Sequence, residues 1–383
     1  MTVKEVGIII HGATGRIGAT QHLANALVPI RAEGGLVSGV DRIMPNLLLV
    51  GRNATRLEEI AQRHGSLEWT TDVTAALAKP SYTIFFDAAA TEQRVATLTR
   101  AVAAGKHIYS EKPVAPTVAE ALALLRAVKA HGVKAGAVED EIYLPGPQKL
   151  NALAASGFFG QVTGFRLEFG WWVFDGIERA SQRPSWNYKR TAGGGLTLDT
   201  YPHWRYVLER ILGRIRRVVT VVRTAIPNRC DKAGSAYRVD VDDTSLTLAE
   251  LANGAVGSIV CSWAMRVRRD DLFTLQVDGT AGSAIAGLHR CWTQAKADTP
   301  TVQHFNPDRD LGVDYRADWT EIQSNGGYAN PYRIGWENFL RHVVDDAPLT
   351  NDLTAGIRDV QLAEACYRSF ADGEWISLEE IND

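Results

Sequence analysis

Cysteine and methionine are scarce: 4 and 3 of 383 residues. Cys230, Cys261, Cys291 and Cys366 are widely spaced and form no Cys-x-x-Cys pair. That excludes a sequence-local zinc site or dense disulfide framework, and no metal is expected. Long apolar runs are missing too. Val6–Ile10 is too short for a signal h-region or a span, so neither membrane nor export is expected and the location reads as cytoplasmic. Neither charge sign dominates, with 41 Lys plus Arg against 44 Asp plus Glu, so the basic footprint of a nucleic-acid binder is absent. What remains is ordinary globular composition, 45% hydrophobic and 22% charged, on a length that suits two to three domains.

The first 140 residues alternate two periods. Val6–Ile10, Leu47–Val50, Thr83–Phe86, His107–Tyr109 and Val133–Val138 are short apolar runs of the kind that a strand buried on both faces shows. Helical stretches separate them: residues 17–28, 54–64 with Asn53 or Thr55 as cap, 91–104, and a run opened by the capping box Thr117-Val118-Ala119-Glu120 and closed by Gly132. Strand and helix in alternation predict a Rossmann-type, doubly wound parallel sheet over residues 1–143. Residues 34–45 read as a surface insertion.

Beyond 143 the pattern changes. Strands are predicted near 161–174, 214–226, 244–250, 255–263 and 272–277, with Asn253-Gly254 as a hairpin turn. One helix, 200–212, interrupts them. Residues 144–383 therefore read as an α/β substrate and oligomerisation domain on an open, mostly antiparallel sheet. Its terminal helices, 331–344 and 353–370, are candidates to pack back on the first domain.

Chemistry concentrates at the predicted strand ends. Gly12-Ala13-Thr14-Gly15-Arg16-Ile17-Gly18 follows the first strand and opens a helix, the context in which a glycine turn cradles a pyrophosphate. The bland alternative is a tight turn with no ligand. The cofactor's identity turns on the end of the second strand, where an acid binds a ribose hydroxyl and Arg accommodates a 2′-phosphate. Val50-Gly51-Arg52-Asn53 has no carboxylate there, which predicts NADP, with NAD as the alternative. A rival strand, Leu36–Val40, would end at Asp41 and favour NAD. Arg52 could equally be a solvated surface charge. Ala90-Thr91 and Glu111-Lys112-Pro113 sit at later strand ends, where a nicotinamide would lie.

Gly-x-x-Gly-x-x-Gly followed by Ala104-Gly105-Lys106-His107-Ile108-Tyr109-Ser110-Glu111-Lys112-Pro113 resembles the glucose–fructose oxidoreductase / inositol dehydrogenase (Gfo/Idh/MocA) family over essentially the whole chain. A second signature of that family, a glycine-rich segment leading to Asp-x-x-x-His, is matched by Gly193-Gly194-Gly195 and then Asp199 and His203. The resemblance implies that His203 is the acid/base, that Lys112 orients the reacting hydroxyl, and that Asp199 contacts substrate or imidazole. The chemistry wants those types: removing a hydroxyl proton near neutrality suits His, and a cation stabilises developing alkoxide charge. A helix beginning near Asp199 would put it and His203 on one face. Structurally, Asp199 could be only a helix cap and His203 a helix histidine.

Two positions depart from the family. Tyr206 stands where polyol-oxidising members carry Asp, and Glu139-Asp140-Glu141 stands where relatives place Arg or Lys, so the substrate does not carry over. Trp172, Arg183, Trp186 and Tyr188, in an aromatic and cationic stretch, are candidates to face sugar rings and hydroxyls, as is Tyr206; core or subunit packing is the other use of such residues. His22, His64 and His131 read as helix-surface or structural histidines. The function expected is hydride transfer between a nicotinamide and a secondary alcohol of a sugar, glycoside or cyclitol, in a homodimer or homotetramer. Redox-assisted glycoside cleavage and a non-catalytic dinucleotide sensor are the alternatives. A short-chain reductase is disfavoured, since no suitable Tyr-x-x-x-Lys occurs in the first domain.

Overall fold

The computed structural model describes residues 2–172, 175–181, 185–301, 306, 308–324 and 326–381, and of 185 and 186 the backbone alone. The chain divides into two compact units: Met1–Asp140 with Ala329–Glu364 and Glu380–Asp383, and Glu141–Tyr328 with Ala365–Glu379. Among the described residues no helix is long and apolar enough to cross a membrane.

In the first unit, β1 (Val3–His11) lies parallel between β3 (Asp41–Val50) and β5 (Tyr82–Asp87). Beyond β5 follow β6 (His107–Ser110) and β7 (Ala135–Ala137), and β4 (Glu68–Thr70) pairs the end of β3, all parallel. Ile8, Ile9 and Ile10 are fully buried, as a sheet covered on both faces requires. One face carries α1 (wound i→i+5 over Ile17–Leu27, then α-helical over Val28–Ala32), α2 (Ala54–Arg63) and α8 (Pro331–Asp345). The other carries α3 (Val73–Leu77), α4 (Thr91–Ala103), α5 (Val118–His131) and the start of α9 (Leu353–Asp372). Caps fall where the side chains dictate. Asn53 accepts from Arg56 N–H, Thr117 accepts from Glu120 N–H, and Gly132 closes α5 at φ 62°.

One expectation is corrected. Residues 34–45 are not a surface insertion: β2 (Leu36–Ser38) turns back antiparallel on β3, which already starts at Asp41. Asp41 therefore stands at the opening of β3, accepting from Thr2 N–H beside Lys4, and not at a strand's carboxyl end. The acid that would have favoured NAD is at the wrong end of the sheet.

In the second unit, β8 (Val162–Gly170), β9 (Ile215–Arg223), β12 (Thr244–Leu251), β13 (Val256–Ser262), β14 (Phe273–Gly279), β15 (Gly282–Ala286), β16 (Cys291–Ala295), β17 (Thr320–Glu321) and β18 (Ile376–Ser377) build one sheet. Its order is β17-β16-β15-β14-β8-β13-β12-β9-β18, antiparallel except for β8 against β13. The small β10 (Asn228–Cys230) and β11 (Ala236–Arg238) pair separately. The Asn253-Gly254 turn joins β12 to β13. Among the described residues between 141 and 328, α6 (Pro145–Ala155), started by Pro145 at its first position, joins α7 (Leu196–Leu212), where the sequence predicts only the latter.

Candidate active site

The first unit gathers its candidate residues along the carboxyl ends of the strands. Gly12 N–H and Ala13 N–H both donate to Val50 O (3.0 and 3.1 Å), tying the glycine turn to the end of β3. Gly12 has φ 82°, and a Cβ there would lie 2.6 Å from Ala88 C. On Gly18 a Cβ would lie 2.5 Å from Gly12 O, so the first turn of α1 can pack against the glycine turn only with glycine at 18. The Thr14 side chain packs against Gly51, and Arg52 next to it is exposed. The residues present thus fit a dinucleotide: a turn whose glycines at 12 and 18 leave no room for a Cβ, a helix N-terminus with no side-chain cap, and a cation at the lip.

Behind the turn lies a brace that sequence reasoning missed. Asp87, fully buried at the end of β5, accepts from His11 Nδ1 (2.6 Å) and Arg94 Nε (2.8 Å). Arg94 also donates to Ala89 O (2.7 Å) and Pro113 O. One guanidinium therefore fixes the turn before Thr91 and the Glu111–Pro113 segment together. Burial would raise the Asp87 carboxyl, but the His11 hydrogen bond and the Arg94 charge outweigh it and hold it below its usual range.

Glu111 is buried and Lys112 half-buried, and the Lys112–Pro113 peptide is cis. Glu111 Oε1 accepts from His22 and Oε2 from Lys112 N–H (3.2 Å). Upstream, Lys106 is structural: its Nζ donates to Lys79 O (2.8 Å), and burial lowers its pKa.

In the second unit α7 carries the other candidates. Gly195 has φ 127°, and a Cβ would lie 2.7 Å from the Tyr367 hydroxyl and 2.8 Å from Asp242 Oδ1. Asp242 accepts from Thr197 N–H (2.8 Å), Thr197 Oγ1 (2.7 Å) and Tyr367 (2.8 Å), at the start of the helix. Burial raises its carboxyl despite these bonds. The helix begins at Leu196, not near Asp199, so Asp199 lies inside its first turns and is not its cap. Asp199 and His203 are both half-buried and one turn apart. His203 Nδ1 lies 2.9 Å from the hydroxyl of Tyr206, which accepts from Glu141 N–H at 2.9 Å. A phenol both donates and accepts, so Tyr206 can hold the imidazole with Nε2 unprotonated or protonated.

Residues 6–138 match the family described as "Oxidoreductase family, NAD-binding Rossmann fold", and residues 148–285 match the "GFO/IDH/MocA C-terminal domain". A D-xylose dehydrogenase of Paenarthrobacter nicotinovorans is 43% identical over 381 residues, 98% of each chain. The chain belongs to the Gfo/Idh/MocA oxidoreductase family. A levoglucosan dehydrogenase of Pseudarthrobacter phenanthrenivorans is 24% identical over 346 residues, 85% of this chain and 87% of that one. A solved levoglucosan dehydrogenase, in complex with NADH and levoglucosan, superposes with TM-score 0.79 at 23% identity, covering 98% and 99% of the two chains. The Rossmann domain and the C-terminal α/β domain are those of this oxidoreductase family.

The aromatic and cationic residues picked out as substrate contacts lie in several settings. Tyr188 is fully buried, its hydroxyl 2.8 Å from Ser181 and its ring covered by Arg229 at 4.3 Å, so it packs the core. Tyr206 is 2% exposed, and its hydroxyl brackets the His203 imidazole. Trp172 is half-buried under Arg266, whose guanidinium lies 3.7 Å from the ring centroid. Arg183 and the Trp186 side chain lie outside the described residues. His22, read as a surface or structural histidine, is fully buried against Glu111.

Proposed function

We propose that the chain is a nicotinamide-dependent sugar dehydrogenase, acting on a CH–OH carbon of a pentose or a related sugar, glycoside or cyclitol. The observation that carries the substrate class is the likeness to a D-xylose dehydrogenase across 98% of both chains. The chemistry is supported by α7, where Asp199 and His203 share a face and Tyr206 steadies the imidazole. In oxidation, His203 takes the hydroxyl proton as hydride leaves the carbon; in reduction it returns that proton. Lys112 orients the hydroxyl, and its ammonium stabilises the developing alkoxide charge. Asp199 contacts the substrate or the imidazole, and Trp172 is kept as a substrate contact.

Gly12, Ala13, Thr14, Gly15, Arg16, Ile17, Arg52, Ala90, Thr91, Glu111, Lys112 and Pro113 would hold the dinucleotide, which supplies the hydride acceptor when bound. NADP is proposed as the preferred cofactor, because β3 ends on Arg52 with no carboxylate beside it. NAD is the alternative, favoured by the solved relative's complex with NADH. Assembly as a homodimer or homotetramer is supported by Val221, Leu246, Leu248 and Val256, apolar side chains exposed on the sheet of the second unit. The free thiols Cys230, Cys261, Cys291 and Cys366 suit the reducing cytoplasm.

A panel of pentoses, hexoses, anhydrosugars and cyclitols, each with NAD and with NADP, tests the reading. D-xylose or a close pentose is expected to give the fastest cofactor reduction. Turnover confined to non-carbohydrate alcohols, or none with any sugar, would refute it.

A further inference from the structure

Side chains from α1 and α8 meet behind the Glu111–Pro113 segment. His22 lies midway along the i→i+5 stretch of α1, a winding found mostly as single turns and often at functional sites. Its ring is 4.2 Å from Phe86 and stands edge-on to Tyr332 at 4.9 Å. The Trp336 indole donates to His22 Nδ1 at 3.0 Å. An indole can only donate, so Nδ1 is the accepting nitrogen and the ring hydrogen sits on Nε2. Nε2 then donates to Glu111 Oε1 at 2.7 Å.

Glu111 shares this corner with a second buried carboxylate. Asp140 takes a hydrogen bond from Tyr332. Burial and the Glu111 charge raise Asp140 above its usual range. Burial acts on Glu111 as well, but the His22 hydrogen bond, with the Lys112 and Arg94 charges, outweighs it and holds Glu111 below its usual range.

We propose that His22 is a positioning residue for Lys112: its Nε2–H, oriented by Trp336, holds Glu111 Oε1 and leaves Oε2 to receive the Lys112 backbone N–H. The inference rests on the reading of Lys112 as the group that orients the reacting hydroxyl. His22 sets where that side chain begins and touches neither substrate nor cofactor itself.

Two replacements separate the two bonds of the ring. His22→Gln reaches the Nε2 position with an amide N–H and keeps the donor to Glu111. His22→Asn reaches only the Nδ1 position and keeps the acceptor for Trp336. With the fastest sugar of the panel, His22→Asn is expected to lose roughly ten- to a hundredfold in kcat, the scale of one hydrogen bond to a charged group. Cofactor affinity should hold, and His22→Gln should recover most of the rate. Equal losses in both variants, or a fully active His22→Asn beside an inactive Lys112→Met, would overturn the positioning role alone. An active Lys112→Met would remove the reading beneath it. A readout independent of turnover is the ring ¹⁵N spectrum of the wild type: His22 should show the Nε2–H tautomer, and an Nδ1–H tautomer contradicts the proposal.

Discussion

Arg52 sits just beyond a strand end that the glycine turn itself holds in place, through two N–H groups on Val50 O. A 2′-phosphate would meet its guanidinium in partly solvated surroundings, where a charge-assisted bond contributes about 1.5–3 kcal/mol. Arg52→Ala is therefore expected to weaken NADP(H) about ten- to a hundredfold and to leave NAD(H) nearly unchanged, as read by fluorescence titration. Tighter binding of NAD(H) by the wild type would reverse the assignment. Arg52, Lys112, Asp199 and His203 become candidates from the sequence because each follows a glycine turn, a strand or a motif that announces it. His22, Arg94 and Asp87 are not. A histidine or arginine inside a helical stretch carries no mark of its depth, and their roles depend on partners 89, 7 and 76 residues away. Tyr188, fully buried, shows the converse ambiguity: aromatic and cationic neighbours mark a packed core as readily as a sugar site.

Among the elements, a buried brace joins β5, α4 and the Glu111–Pro113 segment. Asp87 and Arg94 are 0% and 3% exposed. Removing one charge strands the other, at a cost of about 3–5 kcal/mol. Because the folded Asp87 pKa lies below its ordinary value of 3.8, its contribution is complete above that pH and fades as pH falls through the lower, folded value. Asp87→Asn should accordingly melt well below wild type at pH 7, with the gap narrowing only as the pH falls below 3.8; a gap that widens on acidification contradicts this linkage. Strands and helices of the first unit are legible because a sheet covered on both faces writes unbroken apolar runs, as in Ile8–Ile10. The β2–β3 hairpin is hidden by Pro45 and by polar residues at the sheet's margin, where apolar runs stop. In α7, Leu196–Leu198 are helical although glycines precede them, because Asp242, some 45 residues on, supplies the cap. Sequence spacing alone puts the start of that helix three to four residues late.

Over the whole molecule, family membership fixes the broad chemistry, and the residues of each unit give it a physical form. The first unit presents a close-packed glycine turn, a cation at the lip and a braced Lys112. The second presents an imidazole steadied by a phenol. The central claim is that carbon-bound hydride passes from a sugar to the nicotinamide with Lys112 and His203 in attendance. The most direct measurement is one turnover with D-xylose whose carbon-bound hydrogens are replaced by deuterium, followed by mass analysis of the reduced cofactor. The account predicts one deuterium on the nicotinamide ring with the wild type, and no reduced cofactor with Lys112→Met at matched cofactor affinity. Reduced cofactor without deuterium, or full labelling by the Lys112→Met variant, would contradict it.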